Sequence, residues 1–221
     1  MVRVVKEREE RKREITEAAQ SLFNEKGYEN TSVNDIIKKA GVAKGTFYYY
    51  FTSKEEIMND VVLQDIDRHV QDIIPIIEDP DLSPPQKFRG LILQHQKSHY
   101  ENMELFEFFR KKSDVVMRHK TLVVSLHTFS PLFTRIIKEG NQQKIFACAY
   151  PDETAELIMA GVIFNFDPNI IRKTKQEYIS RVYALADMME KVLGADEGSF
   201  AFLREMAEEM YSFDYLFEES E

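Results

Sequence analysis

Eleven consecutive residues, GVAKGTFYYYF at 41–51, hold a lysine, a threonine and three tyrosines between two phenylalanines. Ammonium and hydroxyl groups donate hydrogen bonds to phosphate oxygens, and the carbon frames of the same side chains can meet thymine methyl groups. The competing reading is a packed helix whose aromatics all point inward. A helix advances about 100° per residue. On that wheel Phe47, Tyr50 and Phe51 share one side, and Gly45, Thr46, Tyr48 and Tyr49 the other. A helix serving only a core has no use for outward tyrosines, so the run divides into an anchoring side and a side left for a partner.

Other reactive side chains are sparse. His95-x-x-x-His99 would place two imidazoles on one helical face, as metal ligands require. No HExxH motif and no nearby cysteine support it, so no metal site is expected. Cys148 is the single cysteine. It excludes an internal disulfide, and in IFACAY it reads as buried, not nucleophilic. The chain has no GxxxxGK phosphate loop, GxSxG elbow or GxGxxG turn. An enzyme is not expected, and no cofactor is implied.

The net charge of −9 is unevenly spread. Residues 1–54 carry 11 Lys/Arg against 8 Asp/Glu, while residues 55–221 carry 18 against 30. A mildly basic head on an acidic body is compatible with a nucleic-acid surface confined to the head. The run KEREERKRE at 6–14 reads as a solvated helix face, because acidic residues interleave. Apolar stretches are short and broken by charge, so no membrane span is expected. With no secretory leader pattern and one cysteine, the expected location is cytoplasmic.

These groups must be positioned by helices, since no period-two strand pattern is visible. A first helix over 7–26 carries Ile15, Ala18, Ala19, Leu22 and Phe23 in one stripe and stops at Gly27. Thr31 or Ser32 caps a short second helix with Val33, Ile36, Ile37 and Ala40 inside. Gly41 permits a tight turn into the third, and Ser53-x-x-Glu56 opens a fourth over 53–74, ending before Pro75. EDPDLSPP at 78–85 is a linker. Ser83-Pro-Pro-Gln86 starts a helix over 86–112, and another over 114–139 bends or divides at Pro131. Helices follow from Asp152 to 166, from Thr174 to 193 and over 199–213. Two short helices joined by a glycine turn and packed on a longer one form a helix-turn-helix, whose second helix enters the DNA major groove.

Residues 8–60 resemble the DNA-binding domain of the TetR (tetracycline-repressor-like) family of bacterial transcription regulators. Ala18, Phe23, GYENTSVNDI at 27–36 and AGVAKGTFYYYFTSKEEI at 40–57 carry the resemblance. It implies an all-α fold: a DNA-binding domain at 1–54, linked by helix 53–74 to a helical effector-binding and dimerisation domain at 55–221. It also implies DNA contacts from Ser32, Val33, Asn34, Lys44, Gly45, Thr46, Tyr48, Tyr49 and Lys54, the last reaching a phosphate. Val33 stands where some relatives use a polar base reader, so recognition leans on Lys44, Thr46 and DNA shape.

The implied protein is a regulator, in the first instance a repressor. It binds a palindromic double-stranded operator as a homodimer and responds to a small-molecule effector. Dimer-interface candidates are Leu157, Ala160, Gly161 and Phe164, with Ile179, Val182, Tyr183, Ala186 and Met189. Effector-pocket candidates are His95, His99, Tyr100, Phe106, Phe109, Met117, His127, Phe129 and Phe133, though a bundle core is lined by the same residue types. Two alternatives stay open: a DNA binder with no small-molecule effector, and a helical carrier or enzyme that has lost DNA binding.

Overall fold

A computed structural model describes residues 2–101, 115–166 and 174–209, with side chains described for 8–98, 119, 121–166 and 174–208. The described residues form nine α-helices and no strand: α1 (Val2–Lys26), α2 (Val33–Ala40), α3 (Lys44–Tyr50), α4 (Lys54–Glu78), α5 (Pro84–Glu101), α6 (Val115–Gln142), α7 (Pro151–Phe166), α8 (Lys175–Leu193) and α9 (Ala201–Glu209). No described helix is long and apolar enough to cross a membrane. The chain separates into two compact units, residues 1–69 with 97–121, and residues 70–96 with 122–221.

The first unit is organised around the stripe of α1. Ile15, Ala19 and Phe23 are buried, and Ile36 from α2, Phe47 and Phe51 from around α3, and Ile57, Met58 and Val61 from α4 close over them. The expected boundaries in this part follow from their caps. Ser32 accepts from the Asp35 amide while the Asp35 carboxylate accepts from the Ser32 amide, a complete capping box. Gly41 closes α2 at φ 64°, in the left-handed region that favours glycine. At α4 the box is shifted. Ser53 Oγ accepts from the Glu56 amide, but the Glu56 carboxylate accepts from the amide and hydroxyl of Thr52 at 2.6 and 2.7 Å.

The second unit has an aromatic centre. Phe88 from α5 packs on Phe133 and Phe200 with ring centroids 5.2 and 5.7 Å apart, and Phe146 stacks on Phe200 at 6.1 Å. Ile136, Ile137, Leu193 and Leu203 complete this core. Lys87 is only 2% exposed, and its ammonium donates to both Glu139 oxygens at 2.7 and 2.6 Å, tying α5 to α6. Ser83 and Gln86 form the expected start of α5, as Thr174 and Glu177 do for α8, and Gly194 closes α8.

Four helices differ from expectation in their bounds, and the first is α1, which begins at Val2 and not at residue 7. α4 continues through Pro75 to Glu78. Pro75 lies on the exposed side of the helix, so the carbonyl that loses its donor faces water. Ile73 and Ile77, both buried, hold the next turn in place. α6 likewise runs unbroken through Pro131 and on past Gly140. α7 starts with Pro151 as its first residue, not with Asp152 as cap. Asp152 instead pairs with Lys138 at 2.8 Å.

Gly140 is kept for space: a Cβ there would lie 2.1 Å from the Phe146 ring, which packs in the core. Gly140→Ala should therefore destabilise the protein by about 1–3 kcal/mol through overpacking, read as a lower urea midpoint at unchanged slope.

Candidate nucleic-acid interface

α3 has seven residues, too few to be stable alone. It is held by Phe47 and Phe51, 0% and 1% exposed, whose ring centroids are 5.9 Å apart. Fixing these two residues fixes the rotation of the helix. Tyr48 and Tyr49 are thereby turned outward, 47% and 63% exposed, beside exposed Lys44 and Gly45 and a half-buried Thr46. Tyr50, expected inside, is only half-buried, and its ring meets that of Tyr49 edge-on at 5.0 Å. A Cβ on Gly45 would find nothing within 4 Å. The fold does not need glycine there, although glycine inside a helix costs roughly 0.5–1 kcal/mol. The space it leaves lies on the outside.

Ser32 and Asn34 are exposed and Val33 half-buried at the start of α2. The Ser32 hydroxyl also donates to Asp35 at 2.7 Å. Lys26, the Ser32 hydroxyl and the Ser32 amide hold the Asp35 carboxyl far below the ordinary range.

Lys54 departs from expectation. Its ammonium donates to the carbonyls of Tyr28 and Thr31 at 2.9 and 3.1 Å and lies 4.0 Å from the Tyr28 ring centroid. These acceptors close the loop before α2, so Lys54 works as an internal strut and not as an open cation. Tyr28 itself is pushed well above the usual tyrosine range by burial and by the nearby Glu55 and Glu29 carboxylates.

Most other cations of the first unit are paired as well. Lys12 bonds Asp60, Lys26 bonds Asp35, Lys39 bonds Glu25, and Arg11 and Arg13 pair along α1 with Glu14 and Glu17. Three exposed cations have no carboxylate partner among the described residues: Arg8, Lys38 and Lys44. Lys44 lies 6.0 Å from the Tyr48 ring centroid, and the Arg8 guanidinium lies 5.1 Å from that of Tyr49. Arg8 was legible only as one charge in a mixed run. Its position over the outward face depends on how α1 packs against α3, which no local pattern encodes.

The amino-terminal residues 15–61 match the model described as bacterial regulatory proteins, tetR family, and residues 95–188 match the tetracyclin repressor-like C-terminal domain. The chain belongs to the TetR family. Among curated relatives, the chain is 50% identical over 44 residues to an uncharacterised HTH-type transcriptional regulator, YvdT, of Bacillus subtilis (strain 168). That stretch covers 20% of this chain and 23% of the relative. An uncharacterised regulator from Lactococcus lactis is 45% identical over 60 residues, 27% of this chain and 29% of the relative. The chain thus spans about a quarter of the length of these relatives. Solved structures cover far more. RolR in complex with the ligand resorcinol aligns over 92% of this chain and 95% of that one, with TM-score 0.63 and 19% identity. A regulator from Cytophaga hutchinsonii aligns over 91% and 94%, with TM-score 0.59 and 17% identity. At such identities the likeness is one of fold.

The carboxyl-terminal candidates divide. Phe129 and Phe133 pack against the central core, and His95 and His127 are exposed. The side chains of His99, Tyr100, Phe106, Phe109 and Met117 lie outside the described residues. No group of three or more His, Cys, Asp or Glu able to hold a metal occurs among the described residues. Of the dimer candidates, Val182, Ala186 and Met189 are 7%, 0% and 5% exposed and belong to the unit's own core, so they cannot offer a surface. Tyr183 is half-buried and donates to Glu208 at 2.5 Å, and Ile179 is also half-buried. Leu157 and Phe164 stand outward, 74% and 44% exposed, with Ala160 and Gly161 half-buried between them. Sequence periodicity identified the apolar side of α8 but not which neighbour covers it. Met188 and Val192, which were not singled out, are its exposed large apolar side chains.

The Asp35 carboxyl gives a pH test. Its folded pKa is depressed, so its contribution to stability is present above the unfolded value of about 3.9 and is lost as pH falls through the folded one. Wild-type protein should therefore lose more stability between pH 5 and pH 3, values chosen to bracket about 3.9, than Asp35→Asn does in urea titrations at both pH values.

Proposed function

We propose that the protein is a DNA-binding transcriptional repressor that holds a palindromic operator as a homodimer and is modulated by a small molecule. The observation that carries the DNA-binding part is the outward surface of α3. Tyr48, Tyr49, Lys44 and the open Gly45 stand on a helix whose rotation is set by buried Phe47 and Phe51. Hydroxyls and ammonium groups position a protein on phosphates, and a glycine lets the backbone come close. Ser32, Val33, Asn34 and Thr46 complete the proposed contact set. Arg8 joins it, since its guanidinium over the Tyr49 ring has donors to spare for a phosphate. Lys54 acts by holding the loop before α2.

Two observations support the homodimer. Leu157 and Phe164, seven residues apart on α7, and Met188 and Val192 on α8 are exposed apolar side chains. A Cβ on Gly161 would meet nothing within 4 Å in its own chain, yet mid-helix glycine costs about 1 kcal/mol relative to alanine. A second copy approaching closely along α7 gives that glycine a use. Two α3 helices would then read half-sites about 34 Å apart. A small-molecule effector is supported by RolR, a protein of the same fold solved with resorcinol. α4 supplies Ile57 and Val61 to the core of the first unit and Ile73 and Ile77 to that of the second. It is the proposed lever: an effector acts only by favouring one state over another.

Selection of bound duplexes from a random pool tests this reading, and recovery of no palindromic site would overturn it. On the selected duplex, Lys44→Ala and Tyr49→Ala should each weaken binding by about 1–3 kcal/mol. Arg8→Ala should flatten the slope of log affinity against log salt by about one. Leu157→Glu should shift the protein toward monomer in sedimentation velocity and weaken binding to the full palindrome more than to a single half-site.

A further inference from the structure

The second unit has a cleft of about 200 Å³ between α6 and the start of α7. Its floor is made by α6. Ser130 is 4% exposed and lines this cleft, and its buried hydroxyl has no hydrogen-bond partner among the described residues. A buried hydroxyl left alone costs roughly 1–3 kcal/mol, so it calls for a partner from outside the chain. On the same turn Pro131 has no N–H to give the carbonyl of His127, four residues earlier, which removes that acceptor's ordinary donor. Leu126 and the Pro131 ring supply apolar wall.

The opposite rim is acidic. Asp152 and Glu156, one turn apart on α7, both line the cleft. Asp152 is paired with Lys138 at 2.8 Å, but Glu156 has no cationic partner among the described residues. His127 and Thr134 also line the cleft, so the site offers acceptors, two further hydrogen-bonding residues and a negative charge, against a small apolar wall. A carboxylate or phosphate ligand would meet Glu156 and be repelled. A neutral apolar ligand would leave the Ser130 hydroxyl unsatisfied.

We infer that this cleft binds a small organic cation, an ammonium or amidinium on a compact apolar body. Its charge sits between Glu156 and the α6 acceptors, and the Ser130 hydroxyl bonds to it or to a water it carries. The inference deepens the proposed function by naming a class of small molecule, but its test uses the protein without DNA. Failure of one reading is then distinct from failure of the other.

Benzylammonium and benzyl alcohol, alike in shape and different in charge, can be titrated into the full chain at neutral pH. Ligand-detected NMR gives affinity, and thermal unfolding gives stability. Benzylammonium should bind about tenfold more tightly than the alcohol, and Glu156→Gln should abolish that preference. Ser130→Ala should weaken benzylammonium several-fold, while leaving the ligand-free protein as stable or more so. Lys138→Met, which frees Asp152, should tighten it. Equal affinity for the two probes, binding of neither, or a preference retained in Glu156→Gln would overturn the assignment.

Discussion

The rotation of one seven-residue helix about its own axis is the constraint on which the rest depends. α3 is too short to persist unaided, and Phe47 and Phe51 dock it onto the first unit. Turning it by one residue, about 100°, would bury a tyrosine hydroxyl with no prepared acceptor and expose a phenylalanine. The two anchors therefore select a single orientation by the cost of every other. The outward surface is a consequence of how the inward one is filled, and its chemistry is displayed without any further device to aim it.

Around that anchor the charges of the first unit are sorted by pairing. Most of its described lysines and arginines are paired, along one helix, between helices or onto backbone carbonyls. Lys54 on the Tyr28 and Thr31 carbonyls and Lys26 on Asp35 both brace the loop that leads into α2. The net excess of positive charge is small, yet what is unpaired includes Arg8 and Lys44, each lying against an exposed tyrosine ring. A weakly basic total thus becomes a local positive site. This reconciles an acidic chain with an anionic partner, since screening over about 8–10 Å separates the head's field from distant charge at physiological salt.

Much of this was legible in the sequence because it is written in local chemistry. Thr31 or Ser32, Thr174 with Glu177, and the glycines at 41 and 194 mark helix ends by hydrogen bonds and by φ, and the structure places the ends there, with Ser32 as the cap of α2. The helical wheel separated Phe47 and Phe51 from Tyr48 and Tyr49 correctly. What failed was whatever depends on a distant neighbour. Pro75 reads as a stop, but its turn survives because flanking isoleucines are buried and the orphaned carbonyl is wet. Val182, Ala186 and Met189 look like any apolar face until α9 is seen among the elements covering them. Lys54 reads as a free cation until the loop it braces is folded beneath it.

Cys148 gives the second unit its own clock. The thiol is 6% exposed and lies 3.3 Å from Thr154 Oγ1, and Asn141 bonds both the amide and the carbonyl of the same residue. The cysteine is unique in the chain, so a thiol reagent can report only on this place. When opening and closing are fast compared with reaction, the labelling rate follows the free energy of the motion that uncovers the sulfur. Stability on this side of the molecule can be followed by one covalent event, without any signal from the first unit.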